Sequence, residues 1–351
     1  MSRDANILKA VRFERPDAIP MVFHINDACR HSYPQGALQE LMAEHPLLFP
    51  GLTSPSDPVP PSSYLPNARK GERYTDPWGC VWKTTEDGIV GVVVEHPLAD
   101  WAALDAYEPP PLPGDDGDVT PQWDVLASQI AADSPAAPLI RGGLPHGHTF
   151  LRLCDLRGYQ NLLFDMVDDD PRLHVLIEMV ENHNRALIQH DLRRGATWMA
   201  YPEDLGMQVG PMLSPEQFRT YLKPSYERLM RPAREAGCIV HMHSDGDIRA
   251  LVDDMVESGV EVVNLQDVVN GIDWIAARFA GKICIDLDID RQSVTVNGSP
   301  TDIDNLIREE VEKLGSKEGG LMMIYGLYPG VPLANVKALM DAMERYAGYY
   351  A

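Results

Sequence analysis

Residues Val240–Ile248 read VHMHSDGDI, two histidines and two aspartates set directly behind the apolar pair Ile239-Val240. In an extended strand, side chains two apart share a face. His241, His243 and Asp245 are therefore predicted to point the same way at the end of the short strand CIVHMH. What lies on either side decides the fold. Upstream, SPEQFRTYLKPSYERLMRPAREAG reads as a helix that opens on a Ser N-cap and stops at Gly237. Before it come the helix PRLHVLIEMVENHNRALIQHDLRRG and the strand ATWMAY, which runs into the polar PEDLG. Downstream, the helices IRALVDDMVESG, GIDWIAARFAG, TDIDNLIREEVEKLG and PLANVKALMDAMERYAGYY are separated by the strands VEVVNLQ, KICIDLDI and GGLMMIYG. Such alternation predicts an α/β fold with a parallel sheet.

With AAPLIRGGL and an early buried strand, AIPMVF (Ala18–Phe23), the strands number about seven, close to the eight of a closed barrel. No GxGxxG or GxxxxGK[ST] follows the first strand, which argues against a dinucleotide or P-loop fold. The expectation is a TIM (β/α)8-type barrel with an N-terminal elaboration. Residues 1–351 are read as one domain, irregular over 1–118 and regular over 119–351. In the irregular part, Ala5–Glu14 is predicted as a short helix, DPWGCVW and GIVGVVVEHPL as a small sheet, and YEPPPLPGDDGD (Tyr107–Asp118) as a linker.

Composition narrows the function. The chain has 351 residues, 44% of them hydrophobic, enough to bury a large core. A formal charge of −22 opposes binding to nucleic acid or anionic membrane. No run of about 18 apolar residues occurs and the N-terminus lacks a signal-peptide core, so a soluble cytoplasmic protein is expected. Cys29, Cys80, Cys154, Cys238 and Cys284 are scattered without a CxxC, and read as free structural thiols. Nucleophilic catalysis finds no GxSxG to support it.

Nearly every predicted strand ends in groups able to do chemistry. His24, Asn26 and Asp27 follow the first, His146 and His148 the next (GGLPHGHTF), then Glu203 and Asp204. Further on come His241, His243, Asp245 and Asp247, then Asn264, Gln266 and Asp267, then Asp286, Asp288 and Asp290, and last Tyr325 and Tyr328. In a parallel barrel the C-terminal strand ends form the active-site mouth. Imidazole nitrogen beside carboxylate oxygen suits zinc or a similar divalent ion with one open position. Glu203, His241, His243 and Asp245 are the candidate ligands; His243, Asp204, His146, His148 and Asp286 are the candidate catalytic groups. The plainer reading stays open, with one histidine hydrogen-bonded to a barrel carboxylate and Asp245 capping a helix near Ile248. Asp247 reads as an N-cap or turn residue.

The segment YPEDLGMQVGPMLSPEQFRTYLKPSYERLMRPAREAGCIVHMHSDGDI resembles the uroporphyrinogen decarboxylase-like superfamily, with its acidic strand end, SPE-F-YLKP helix and HSDG strand end in succession. NILKAVRFERPDAIPMVF, DPWGCVW and DLRGYQNLLFDM follow the same order, so the resemblance spans nearly the whole chain. True decarboxylases of this superfamily carry an arginine-rich first strand end that holds the substrate's carboxylates. Here that stretch is MVFHINDACRHSYPQG, with Arg30 alone. The superfamily's methyltransferases hold zinc through an HxC strand end and a later Cys. His243 matches their histidine, but Asp245 replaces the first cysteine, and no cysteine lies near MMIYGLYPGVPL. A two-thiolate site is excluded, and a nitrogen and oxygen site remains.

The resemblance implies a metal-assisted methyltransferase. It would move a methyl group from a small methoxylated or methylated substrate to a corrinoid carried by a partner protein, or to a related acceptor. The alternative is a decarboxylase, lyase or hydrolase on the same barrel, working through His and carboxylate acid-base chemistry. The implied cofactors are Zn2+ and the partner's corrinoid; a homodimer is left open.

Overall fold

The computed structural model describes residues 2–52, 63–112 and 139–351. The chain divides into two compact units. One is Met1–Tyr74, Lys83–Val92 and Gln266–Ala351; the other is Thr75–Trp82 and Val93–Leu265. The predicted linker beyond Leu112, and the expected change of texture at residue 118, lie outside the described residues.

The strands in chain order are β1 (Met21–Ile25), β2 (Arg73–Thr75), β3 (Val81–Lys83), β4 (Val92–Glu95), β5 (Arg141–Gly143) and β6 (Trp198–Asp204). After them come β7 (Gly206–Met207), β8 (Gly210–Pro211), β9 (Ile239–Asp245), β10 (Val262–Gln266), β11 (Cys284–Asp288) and β12 (Leu321–Leu327). In the first unit β1, β12 and β11 are neighbours and run parallel. In the second the order is β10-β9-β6-β5, again all parallel. Helices connect them, so the chain is an α/β fold of the TIM type, as the alternation of the sequence requires. The small sheet expected near DPWGCVW is β2-β3-β4.

Local chemistry sets the boundaries. The first helix, Arg3–Arg12, starts on the Ser2 hydroxyl, which accepts from Ala5 N, and stops where Phe13 turns left-handed. The helix Pro171–Arg193 is capped by Asp170, with Pro171 at its first position. Ser214 and Gln217 form a reciprocal capping box, and the helix they open passes through a π-helical stretch, Phe218–Leu222, before Lys223–Glu235.

One strand is longer than its apolar run. β6 continues through Pro202, Glu203 and Asp204. Proline inside a strand forfeits a ladder bond. Here β5 pairs only as far as Ala200, so the β5 side of Pro202 needs no strand donor. Its carbonyl accepts from Gly147 N at 2.9 Å instead, which draws the GGLPHGHTF loop over the strand end.

In the first unit, Asp267 follows β10 and joins two successive loops, accepting from Val268 N and from Asp290 N at 2.9 Å. Fully buried Glu310, on the helix Pro300–Leu314, lies near enough for the two charges to act on each other. Burial, followed by the charge of Asp267, pushes the Glu310 carboxyl well above its usual range. Glu310 therefore carries the proton of the pair.

The turn after β9 depends on a glycine. Gly246 has φ +81°, and a Cβ built there would lie 2.1 Å from the carbonyl carbon of Gly206. The same approach lets Asp247 N donate to Met207 O at 2.7 Å. Gly246→Ala is expected to cost about 2–5 kcal/mol, a left-handed alanine adding to a backbone clash. Urea denaturation checks this; an unchanged midpoint would show that the two turns are free to separate.

Candidate metal and proton-transfer site

The second unit assembles its polar strand ends by register. β6 and β9 run side by side from Trp198↔Ile239 to Asp204↔Asp245, and β10 sets Asn264 beside His243. Along β9 the residues Ile239, Val240, Met242 and Ser244 are buried while His241, His243 and Asp245 are half-buried, the alternation expected of one shared face.

At the top of that face, His146, Asp204 and His243 meet, and one ligand atom from each lies within 4.8 Å of the others. His146 Nε2 is 3.3 Å from Asp204 Oδ1. His243 Nε2 is 3.6 Å from the same oxygen and 3.4 Å from Asp245 Oδ1. The two imidazole rings are 6.0 Å apart, and His243 Nδ1 bonds Asn264 Oδ1 at 2.5 Å.

Burial disfavours a charge on Asp204, but the hydrogen bond with His146 and the charge of the two imidazoles outweigh it and hold the carboxyl far below the usual range. His146 is raised: burial works against its protonation, and the hydrogen bond with Asp204 overcomes that. An anionic oxygen flanked by two imidazole nitrogens can hold a divalent ion of the zinc type or exchange protons at neutral pH.

Glu203, expected as a ligand, has other work. It is 0% exposed, and its carboxylate accepts from the amides of Thr149 (2.5 Å), Phe150 (2.7 Å) and Leu151 (3.3 Å). These open the helix Phe150–Arg157, so Glu203 is its cap. Burial, only partly offset by those amides, pushes its pKa up to about 7.

His148, expected to be catalytic, lies in the core. Its Nδ1 meets Thr149 Oγ1 at 2.6 Å, its ring packs on Tyr201 and Tyr226, and burial drives its pKa down to about 3. His241 stands one level below His243, its ring 5.3 Å from that of Trp198, and does not join the group. Asp286 belongs to the other unit, on β11, where its charge bears on half-buried His24. Asn264 was legible as a polar strand end, but its bond to His243 comes from register. Asp247, read as a cap or turn residue, accepts from Arg249 N at 3.2 Å and pairs with its guanidinium at 2.7 Å.

Residues 84–346 match the model of the uroporphyrinogen decarboxylase (URO-D) family. The chain belongs to that family. Uroporphyrinogen decarboxylases from two strains of Thermus thermophilus are each 29% identical to it over 140 residues, 38% of this chain and 38% of theirs. The chain thus spans 38% of the length of those curated relatives in the match. A solved methyltransferase from Methanosarcina mazei is similar over 100% of both chains, with a TM-score of 0.63 and 18% identity. That likeness shows the fold. This member of the URO-D family carries the His and Asp grouping on the strand ends where TIM-type folds place their chemistry. Among the described residues no helix is long and apolar enough to cross a membrane.

Glu203→Ala is expected to lower stability by about 2–4 kcal/mol, since three buried amides lose their acceptor and a cavity opens. Glu203→Gln keeps the carbonyl acceptor and costs less. Because the folded pKa is raised from 4.5 to about 7, the stability Glu203 contributes is complete below 4.5 and drains as pH rises through about 7. The Gln variant should lack that slope. Denaturation across the range reads it, and identical slopes in both proteins would refute the assignment.

Proposed function

We propose that this member of the URO-D family is a metal-assisted methyltransferase. It takes a methyl group from a small methoxylated or methylated substrate and passes it to a corrinoid protein or related acceptor. The observation that supports it most is the convergence of His146, Asp204 and His243 on one point within 4.8 Å. The donor set fits a zinc-type ion: two imidazole nitrogens, one carboxylate held anionic, and Asp245 Oδ1 within 3.4 Å of His243 Nε2. Membership of the URO-D family and a fold shared with a methyltransferase agree with this reading.

Demethylating an ether leaves charge on the departing oxygen, and that charge sets the barrier. A divalent ion held by His146, Asp204 and His243 would supply Lewis acidity to that oxygen. The protein's own groups do the rest. Asp204 holds both imidazoles at one point, and Asp245 Oδ1 stands 3.4 Å from His243 Nε2 on the same side. A reduced corrinoid on the acceptor protein would supply the methyl-accepting nucleophile.

A second reading, acid-base lyase or hydrolase chemistry, is favoured by the His146–Asp204 pair alone, since a raised imidazole beside a carboxylate can move protons without an ion. Chelation separates the two: activity lost with the ion and restored by Zn2+ supports methyl transfer, and full activity of the chelated protein supports the lyase.

His243→Ala is expected to lose turnover and to weaken divalent metal binding by more than about 100-fold, beyond what removing a ligand's supporting partner does, with the fold kept. Elemental analysis and a thermal melt test this together; full metal content in the variant sinks the site. Uroporphyrinogen is expected to go unconverted. Arg30 already pairs with Asp27 at 3.1 Å, and one guanidinium cannot neutralise a polycarboxylate. Coproporphyrinogen formation by the purified enzyme would reverse that.

A further inference from the structure

Two histidines share the inner face of β9, and their neighbours on β10 differ. His241 lies level with Val262, and His243 with Asn264. Val262, Asn264 and Gln266 form one side of β10, so the sheet replaces an apolar residue with an amide at the level where His146 and Asp204 converge. Asn264 is buried, and its Oδ1 lies 2.5 Å from His243 Nδ1. A carbonyl oxygen can only accept, so the bond requires a proton on Nδ1. The Nε2 lone pair is then left on the side of Asp204, 3.6 Å away, and Asp245, 3.4 Å away.

We propose that Asn264 is the positioning residue of this site, holding His243 as the tautomer whose Nε2 is available to a metal ion. The inference rests on the metal reading above but concerns only this chain's own residues. Ligating histidines are commonly fixed through their second ring nitrogen, by a carboxylate or a carbonyl. An amide does this without adding charge, which matters beside Asp204 and Asp245. An aliphatic residue at 264 would pack equally well. It would leave the Nδ1 proton without this acceptor, and the two carboxylates would draw the proton to Nε2, the atom the ion needs.

The test uses the full-length protein and Zn2+ as probe, with Asn264→Leu and Asn264→Asp. The leucine variant is expected to bind Zn2+ about 10- to 100-fold more weakly, and the aspartate variant to recover most of the affinity, because a carboxylate also accepts from Nδ1. A residue that only filled space would not be rescued by Asp. Nitrogen NMR of the metal-free protein, at a pH where the ring is neutral, should place the His243 proton on Nδ1 in the parent and shift it toward Nε2 in the leucine variant. Equal Zn2+ affinity in all three proteins overturns the proposal, and so does an unchanged tautomer in the leucine variant. If the parent binds no Zn2+ while the tautomer still shifts, the metal reading falls and the role of Asn264 toward His243 stands. Should the leucine variant fail to fold, Asn264→Ser removes the amide without adding bulk and gives the same comparison.

Discussion

The parallel pairing of β6 with β9 is the constraint on which the site depends. Seven residues of each strand run in register, ending at Pro202↔His243, Glu203↔Ser244 and Asp204↔Asp245. Strand side chains alternate, so a slip of one residue would turn the whole set to the opposite face. His243 would then enter the buried layer of Met242 and Ser244, and Asp204 would lose that imidazole. The apolar residues of β9 pin the register because they have no other buried place to go. Pairing with β10 extends the constraint sideways and makes Asn264 the neighbour of His243.

Glu203 and Asp204 show how far adjacent acids can diverge. Burial acts in the same direction on both, raising each carboxyl. Their partners decide the rest. Glu203 meets backbone amides at a helix start, whose partial positive charge only partly offsets its desolvation. Asp204 meets two imidazoles able to carry a full charge. Glu203 thus organises the loop after β5, and Asp204 receives what that loop delivers, His146. The first acid builds the site and the second works in it.

The fold was legible because apolar strand runs and amphipathic helices follow one another without interruption from β5 to the last helix, and that pattern has few solutions. The shared face of His241, His243 and Asp245 followed from pleating alone. Three things were not legible. The strand length of β6 was hidden by Pro202, tolerated only because β5 ends early. The choice between Glu203 and Asp204 depended on which one met the helix start at Thr149, a contact across about 50 residues of sequence. His146 and His148 looked equivalent in PHGHTF. Gly147, at φ +71°, turns the chain between them and leaves one exposed and the other in the core.

The buried acids also set the direction in which the molecule is fragile. Asp204 has a depressed pKa, so its contribution to stability is present above the usual carboxylate range and is lost as pH falls through its folded value. Glu203 and Glu310 are raised, so theirs are present in acid and lost as pH climbs through the folded values. Glu203 holds the start of the helix at Phe150, and Asp267, whose charge acts on Glu310, holds the turn at Asp290. The charged groups acting on Glu310 are all acidic, namely Asp267, Asp290 and Glu309. Of the cations nearest in sequence, Arg308 bonds Asn305 and Lys313 is engaged with Asp273 and Glu309. A chain already at −22 gains further self-repulsion with each proton it gives up. Alkali therefore strikes the supports of the strand-end loops, while acid strikes the Asp204 centre directly. Within the second unit the two adjacent acids thus respond oppositely, Asp204 to falling pH and Glu203 to rising pH.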